Sequence, residues 1–147
     1  MATDGVINGT KFAVYAGTIG SATKVAYATS ASISMNHNLR DTSTKDSAGW
    51  RDQLEGQRDW ECSVEGMLIF TNLDGTAITG LSMNELYSSY IATRTQFLLS
   101  FSTEETGDFK WSGQAYLTSL SADTPNEDSS TWSASFSGTG ALTQAAV

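Results

Sequence analysis

Proline, cysteine, histidine and basic residues are all scarce in this chain, and each scarcity excludes something. The one proline, Pro125, rules out a Pro-rich linker. The one cysteine, Cys62, rules out an intrachain disulfide and any cysteine-based zinc site. It falls on the apolar side of a strand pattern, as a buried small hydrophobe would. The one histidine, His37, has no partner motif, so a structural role outweighs a catalytic one. Only 8 Lys and Arg stand against 16 Asp and Glu, a net charge of −8. An acidic surface repels phosphates, which argues against tight nucleic-acid binding but not against a surface that DNA slides past. No apolar run approaches the roughly 20 residues of a membrane helix, and the first five residues lack the basic and apolar regions of a secretory signal. No membrane insertion is therefore expected, and the protein is expected to be made and kept in the cytoplasm. Phosphate-binding glycine loops, zinc-binding His-Glu-x-x-His helices and nucleophile elbows are also missing.

What is present is a length of 147 residues, fitting one domain over residues 1–147, with much Ser, Thr, Gly and Asn. That composition predicts a mainly β chain of short strands and turns. Short apolar runs at 12–15 and 25–27, separated by Gly17, Gly20 and Ser21, predict a hairpin. Residues 31–39 alternate, with Ala31, Ile33, Met35 and Leu39 on one side and Ser32, Ser34, Asn36 and Asn38 on the other. The clearest alternation runs over 59–70. Trp60, Cys62, Val64, Gly66, Leu68 and Phe70 share one face, and Asp59, Glu61, Ser63 and Glu65 begin the other. Residues 72–75 predict a turn. Ser82 and Glu85 form a capping box before Met83, Leu86, Tyr87, Tyr90 and Ile91, which recur at helical spacing. One flanking helix at about 82–93 follows. Three further strands carry Phe97, Leu99 and Phe101, then Phe109, Trp111, Ala115 and Leu117, then Trp132, Ala134 and Phe136. The candidate core is Trp60, Cys62, Val64, Leu86, Tyr90, Phe97, Trp111, Trp132 and Phe136.

Residues 40–57 follow neither period. A connection longer than about 12–15 residues is usually functional or disordered. Both charge signs occur in it: Arg40, Lys45 and Arg51 against Asp41, Asp46, Asp52 and Glu55. Trp50 and Leu54 are its apolar members. An aromatic set in a charged loop suits a protein interface, with salt-dependent contacts around Trp50. The expected loop is mobile in a free subunit and ordered against a partner.

Two other classes compete on the residues alone. A small β-fold glycoside hydrolase would need two carboxylates facing across a sugar, and Glu61 and Glu65 share a strand face. A solvated strand face explains them more simply. A carbohydrate- or receptor-binding β-domain would use exposed aromatics, yet Trp60, Trp111 and Trp132 fall on apolar faces.

The words Thr44-Lys45-Asp46-Ser47-Ala48-Gly49-Trp50, Leu54-Glu55-Gly56 and Trp60-Glu61-Cys62-Ser63-Val64-Glu65-Gly66 carry a resemblance, in that order. Leu86-Tyr87 ahead of Arg94-Thr95 and Phe136-Ser137-Gly138-Thr139-Gly140 extend it over residues 9–142. The chain resembles the major tail tube proteins of long-tailed bacteriophages and related gene transfer agents. The resemblance implies a β-sandwich or rolled β-barrel with one flanking helix. It implies homo-hexameric rings, each subunit lending strands to a continuous inner barrel, stacked into the tube of a virion tail. The loop at about 40–57 would reach a neighbouring subunit or ring through Arg40, Asp41, Lys45, Asp46, Trp50, Arg51, Asp52, Leu54 and Glu55. Tape-measure, terminator and distal tail proteins would be further partners, with double-stranded DNA passing through unbound. The family performs no bond chemistry and needs no cofactor or metal. Within that frame Asp59, Glu61 and Glu65 are candidates for the lumen wall.

Overall fold

The computed structural model describes residues 4–18, 21–70, 75, 77 and 80–147. Seven antiparallel strands form one sheet: β1 (Ala13–Thr18), β2 (Ser21–Lys24), β3 (Ala28–Asp41), β4 (Gln53–Met67), β5 (Phe97–Ser102), β6 (Phe109–Asp123) and β7 (Thr131–Ala146). Their order across the sheet is β2-β1-β5-β6-β7-β4-β3. The consecutive strands β2 and β3 therefore sit at opposite edges. A flat seven-stranded sheet is about 29 Å wide. The link 25–27 can span only about 14 Å from Lys24 to Ala28. The sheet must curl far enough to bring the end of β2 near the start of β3, which makes it a roll. Around the link Ala26 N–H donates to Leu81 O at 2.8 Å, Leu81 N–H to Lys24 O at 2.9 Å and Met67 N–H to Tyr27 O at 3.1 Å.

Rolling encloses one face of the sheet. Val14, Ala16, Trp60, Cys62, Val64, Phe97, Leu99, Phe101, Ala115, Trp132, Ala134 and Phe136 are buried there, with Val25 from the link and Leu86 from the helix. Aromatic rings meet at its centre, Phe97 against Phe136 edge-on at 5.4 Å and Tyr90 against Phe97 at 4.1 Å. Such pairs add about 0.5–1.5 kcal/mol each beyond their buried area. Burial pushes the Cys62 thiol up to about 12, so it is a packing group without thiolate character. Of the expected core, Tyr90 and Trp111 are only half-buried. Tyr90 belongs to the helix that covers the roll's margin, and Trp111 meets Phe12 at the core's edge, the rings tilted at 46° with centroids 6.3 Å apart. Phe109, expected on the apolar face, is 57% exposed because β6 begins beyond the enclosed part of the sheet.

Trp60 lies flat across two glycines of neighbouring strands. A Cβ on Gly113 would come within 2.6 Å of its ring, and one on Gly138 within 2.1 Å. Its indole N–H donates to Gly140 O at 3.3 Å. Trp132 closes the other end, donating to Met67 O at 3.0 Å.

Three boundaries differ from expectation. Residues 25–27 are the link, not a strand; Val25 and Ala26 are apolar because the link crosses the end of the core. The strand paired with β1 is the polar Ser21–Lys24. The irregular stretch is shorter than 40–57, since β3 and β4 pair down to Asp41 opposite Gln53 and leave only 42–52 as loop. A bulge between His37 and Leu39 throws the alternation out of step, and a Cβ on Gly56 would sit 2.3 Å from Asn38 O. The alternation over 31–39 fits a half-buried strand, but β3 is an edge on which Ile33 alone is partly covered. The helix α1 (Met83–Leu86) continues as a π-turn over Tyr87–Ile91. The carboxylate of Glu85 accepts hydrogen bonds from the Ser82 N–H and hydroxyl, and the hydroxyl bond holds it below the usual range. The turn expected at 72–75 lies, apart from Gly75, outside the described residues.

Gly138→Ala is expected to displace Trp60 and destabilise the fold by about 2–3 kcal/mol. Thermal melting should show a midpoint lower by roughly 5–10 °C; an unchanged midpoint would mean that the ring is not seated on Gly138. Native protein should leave Cys62 unmodified by a thiol reagent at mildly alkaline pH, with full reaction after denaturation.

Candidate functional site

On the four long strands the face turned away from the core is a wall of hydroxyls and carboxylates. Direct pairing builds it in rows. Ser32, Ser63, Ser135 and Ser119 form one; Ser30, Glu65, Ser133 and Ser121 the next; Ser34, Glu61, Ser137 and Tyr116 a third. Asn36 pairs with Asp59 at the margin. Cross-strand hydrogen bonds hold the rows, with Ser32 and Ser63 Oγ atoms 2.6 Å apart and those of Ser121 and Ser133 also 2.6 Å apart. Asn36 Nδ2 donates to Asp59 at 2.9 Å and Asn38 Nδ2 at 3.3 Å, while Ser30 Oγ donates to Glu65 at 3.4 Å. Asp59, Glu61 and Glu65 are thus on one exposed face, and no Lys or Arg occupies these rows.

Strand alternation exposes these acids, but the serine rows come from four strands far apart in sequence. The only advance signal is the run of Ser and Thr at every second position in 131–140 and 30–34. Glu61 and Glu65 lie about 13 Å apart along an open face. That spacing exceeds the separations of glycosidase carboxyl pairs, and no cleft joins them.

The second feature is a projecting arm. β4 pairs with β7 only from Glu61 onward, opposite Ser137, so Gln53 to Trp60 has β3 as its sole strand neighbour. This leaves a two-stranded ribbon about 26 Å long beyond the body. Met35, Leu39 and Leu54 on it are more than half exposed. Between the arm and the start of β6 beside the end of β7 lies a cavity of about 860 Å³, bordered by Met35, His37, Arg58, Trp60, Trp111 and Leu142.

The tip of the arm is tied to itself. Thr42 N–H donates to Asp52 O at 2.9 Å, Asp52 N–H to Ser43 Oγ at 2.8 Å, Ser47 Oγ to Asp52 Oδ2 at 2.9 Å and Trp50 N–H to Ser47 O at 2.9 Å. Ser43 N–H donates to Asp41 at 2.9 Å and Arg51 pairs with Asp41 at 3.4 Å. The Ser43 N–H is the main reason the Asp41 carboxyl is held below its ordinary range, followed by the Ser43 hydroxyl, with Arg51 adding to the effect. Asp41 therefore contributes fully above the usual carboxylate range and fails only as pH falls through its depressed value. Ala48 at φ 50° and Gly49 at φ 82° turn the chain left-handed just before Trp50, which is 80% exposed. The tip thus holds out one indole from a hydrogen-bonded turn. Of the other expected arm residues, Arg40, Asp41, Leu54 and Glu55 lie on the paired strands, while Lys45, Asp46, Arg51 and Asp52 lie in the tip.

The family described as phage tail tube protein matches this sequence over residues 7–144. No curated protein matches. Among solved structures, a chain of the tail of an empty gene transfer agent particle with C6 symmetry is 20% identical, with a TM-score of 0.73 over 94% of this chain and 98% of that one. A chain of the SPP1 tail tube is 14% identical, with a TM-score of 0.71 over 97% and 80%. A chain of the sheath–tube complex of an extracellular contractile injection system is 15% identical, with a TM-score of 0.64 over 98% and 94%.

Trypsin should cut slowly after Lys45 and Arg51 in the free protein, because the tip is tied. Asp52→Ala removes side-chain and turn support worth about 1–1.5 kcal/mol, so cleavage should accelerate roughly tenfold. Equal rates would show that the ties contribute nothing.

Proposed function

Because the chain belongs to the phage tail tube protein family, it is a structural subunit of a phage-type tail tube, and we propose that its four long strands are the wall segment of a hexameric ring. The supporting observation is a pair of open strand edges. β3 has no strand on its outer side, and β5 covers β6 only from Trp111 to Ala115, so that 116–123 are paired with β7 on one side and open on the other. In the block β6-β7-β4-β3 the two outer strands run in opposite directions. A copy rotated about a ring axis therefore brings its β6 antiparallel to the first copy's β3. Repeating the step closes a barrel and removes the exposed edges that would otherwise promote aggregation.

The polar wall then faces the channel. DNA carries one charge per about 1.7 Å of axis, so a basic wall would hold it. Serine rows with Asp59, Glu61 and Glu65 offer no such counter-charge and let it pass. Of the tryptophans that a glycan-binding module would display, Trp60, Trp111 and Trp132 belong here to the core and its margin, and Trp50 alone stands out from the surface. The subunit's role is architectural, without bond chemistry. Its partners are further copies of itself, tape-measure, terminator and distal tail proteins, and DNA in transit. Trp50 and the charged residues of the arm contact those copies.

Purified protein should form rings and tubes visible by electron microscopy, with six-fold symmetry in end-on views. Glu61→Lys with Glu65→Lys should still assemble, but its tubes should retain short duplex DNA at low salt while wild-type tubes do not. A protein that stays monomeric at millimolar concentration would refute the ring. Normal tubes whose DNA retention is unaffected would place these acids outside the lumen.

A further inference from the structure

A wedge opens at the root of the arm, where β7 leaves β4. Beyond Ser137, opposite Glu61, β7 no longer pairs with β4; it turns left-handed at Gly140, φ 75°, and follows β6 to Ala146. The cavity of about 860 Å³ fills this wedge, with Met35, Trp60, Trp111 and Leu142 as its apolar walls. Along it β4 from Gln53 to Trp60 keeps a bare edge, with no strand on that side. Arg58 borders the wedge two residues before Trp60 and has no ion-pair partner among the described residues. His37 stands directly opposite it, and the one acid at the rim, Asp59, already accepts from Asn36 and Asn38.

The beginning of the chain carries the matching chemistry. Val6 is 98% exposed, and Asp4 is the only charged side chain ahead of Lys11. In an extended segment residues 4 and 6 point the same way, about 6.6 Å apart. The same step separates Arg58 from Trp60 on β4. Gly5, at φ 76° with open space around it, can straighten at little cost. Behind the segment the chain is fixed. Asn8 caps the short turn Gly9–Lys11 by accepting from the Thr10 N–H at 3.1 Å, and Phe12 packs on Phe101 and Trp111.

We propose that residues 4–7 of one copy dock in the wedge of the adjacent copy of the same ring, adding a short strand to the bare edge of its β4. Val6 lies against Trp60 and Met35, and Asp4 faces Arg58. The proposal rests on the ring reading and adds a second lateral contact to it. In that ring the strand following β3 is the adjacent copy's β6. That copy's Trp111 lies near the start of its β6 with Phe12 packed on it, so its residues 4–11 emerge on the core side of the first copy's β3 and β4, where the wedge opens. The eight steps from Asp4 to Phe12 span up to about 26 Å. Within one copy the wedge is also near, yet Val6 stays bare there. Strand addition supplies backbone hydrogen bonds, and the alternating side chains fix its register.

Disulfide trapping tests the contact in assembled protein. Met35 pairs directly with Trp60 and is 54% exposed, whereas Cys62 is buried and takes no part. Rings of Val6→Cys with Met35→Cys, treated with a mild thiol oxidant, should give a ladder of covalent oligomers on a non-reducing gel, up to the full ring. Neither cysteine alone should do so. Val6→Asp should leave the melting midpoint of the subunit unchanged, because the side chain packs on nothing in it, and raise the concentration needed for ring formation roughly tenfold. Wild-type protein gives a readout that needs no variant: amide exchange at residues 5–7 should slow at least roughly tenfold when rings form. Bonds formed only within single chains, rings without a ladder, fast exchange at residues 5–7 in rings, or full ring formation by Val6→Asp would each overturn the docking and leave the ring reading intact. Absence of any ring from wild-type protein would sink both.

Discussion

The three residues between β2 and β3 constrain everything else. They join strands at opposite edges of a seven-stranded sheet, and so short a link is possible only if the sheet rolls. Rolling separates two environments that period-2 alternation had only distinguished by parity. One face closes over Phe97, Phe101, Trp132 and Phe136; the other becomes an outer wall of Ser, Asn, Asp and Glu. Val25 and Ala26 are apolar because the link itself runs over the end of the core. A link longer by several residues would permit a flatter sheet and a weaker division between wall and core.

Trp60 then decides where the wall stops being a body and becomes an arm. Its indole covers Gly113 and Gly138, and its N–H is satisfied by Gly140 O. On one side of it β4 is held by β7, and on the other by β3 alone. Isolated two-stranded ribbons are marginal in water. This one gains order at its root from a buried aromatic and at its tip from Asp41, Ser43, Ser47 and Asp52. Order at both ends without cover along the middle is what a segment needs if it is to reach a partner in a defined orientation. The exposure of Met35, Leu39 and Leu54 follows from the same division.

Much of this was legible in the order of residues, and the exceptions have identifiable causes. The alternation from Asp59 through Gly66 separated the core side chains from the acids, because each strand there has a full complement of neighbours. The same period failed over 40–57, where the bulge at His37–Leu39 and the glycine opposite it shift the phase by one. No single-strand pattern could reveal that the 42–52 tip bonds to itself, since its donors and acceptors are polar residues common to any loop. The apolar run at 25–27 looked like a strand because burial and pairing leave the same mark on short segments. The serine rows were hidden for a different reason: they exist only across strands, and the register that assembles them is set by the roll.

A chain with net charge −8 that is to polymerise must bring many copies of that charge together. The distribution of charge resolves part of this difficulty. In the proposed ring the lateral contacts are made by backbone edges, whose groups are neutral, so closure need not bring like charges into register. Four of the eight cations, Arg40, Lys45, Arg51 and Arg58, are on the arm, while the turn between β6 and β7 carries Asp123, Glu127 and Asp128 without a Lys or Arg. Spreading those cations evenly would lower the local repulsion everywhere but would make the two ends equivalent. It would also place basic groups on a wall that DNA must leave unhindered. In the proposed ring, keeping them on the arm leaves the rows of Ser32, Glu61 and Glu65 without basic groups, as a channel that DNA passes through would require.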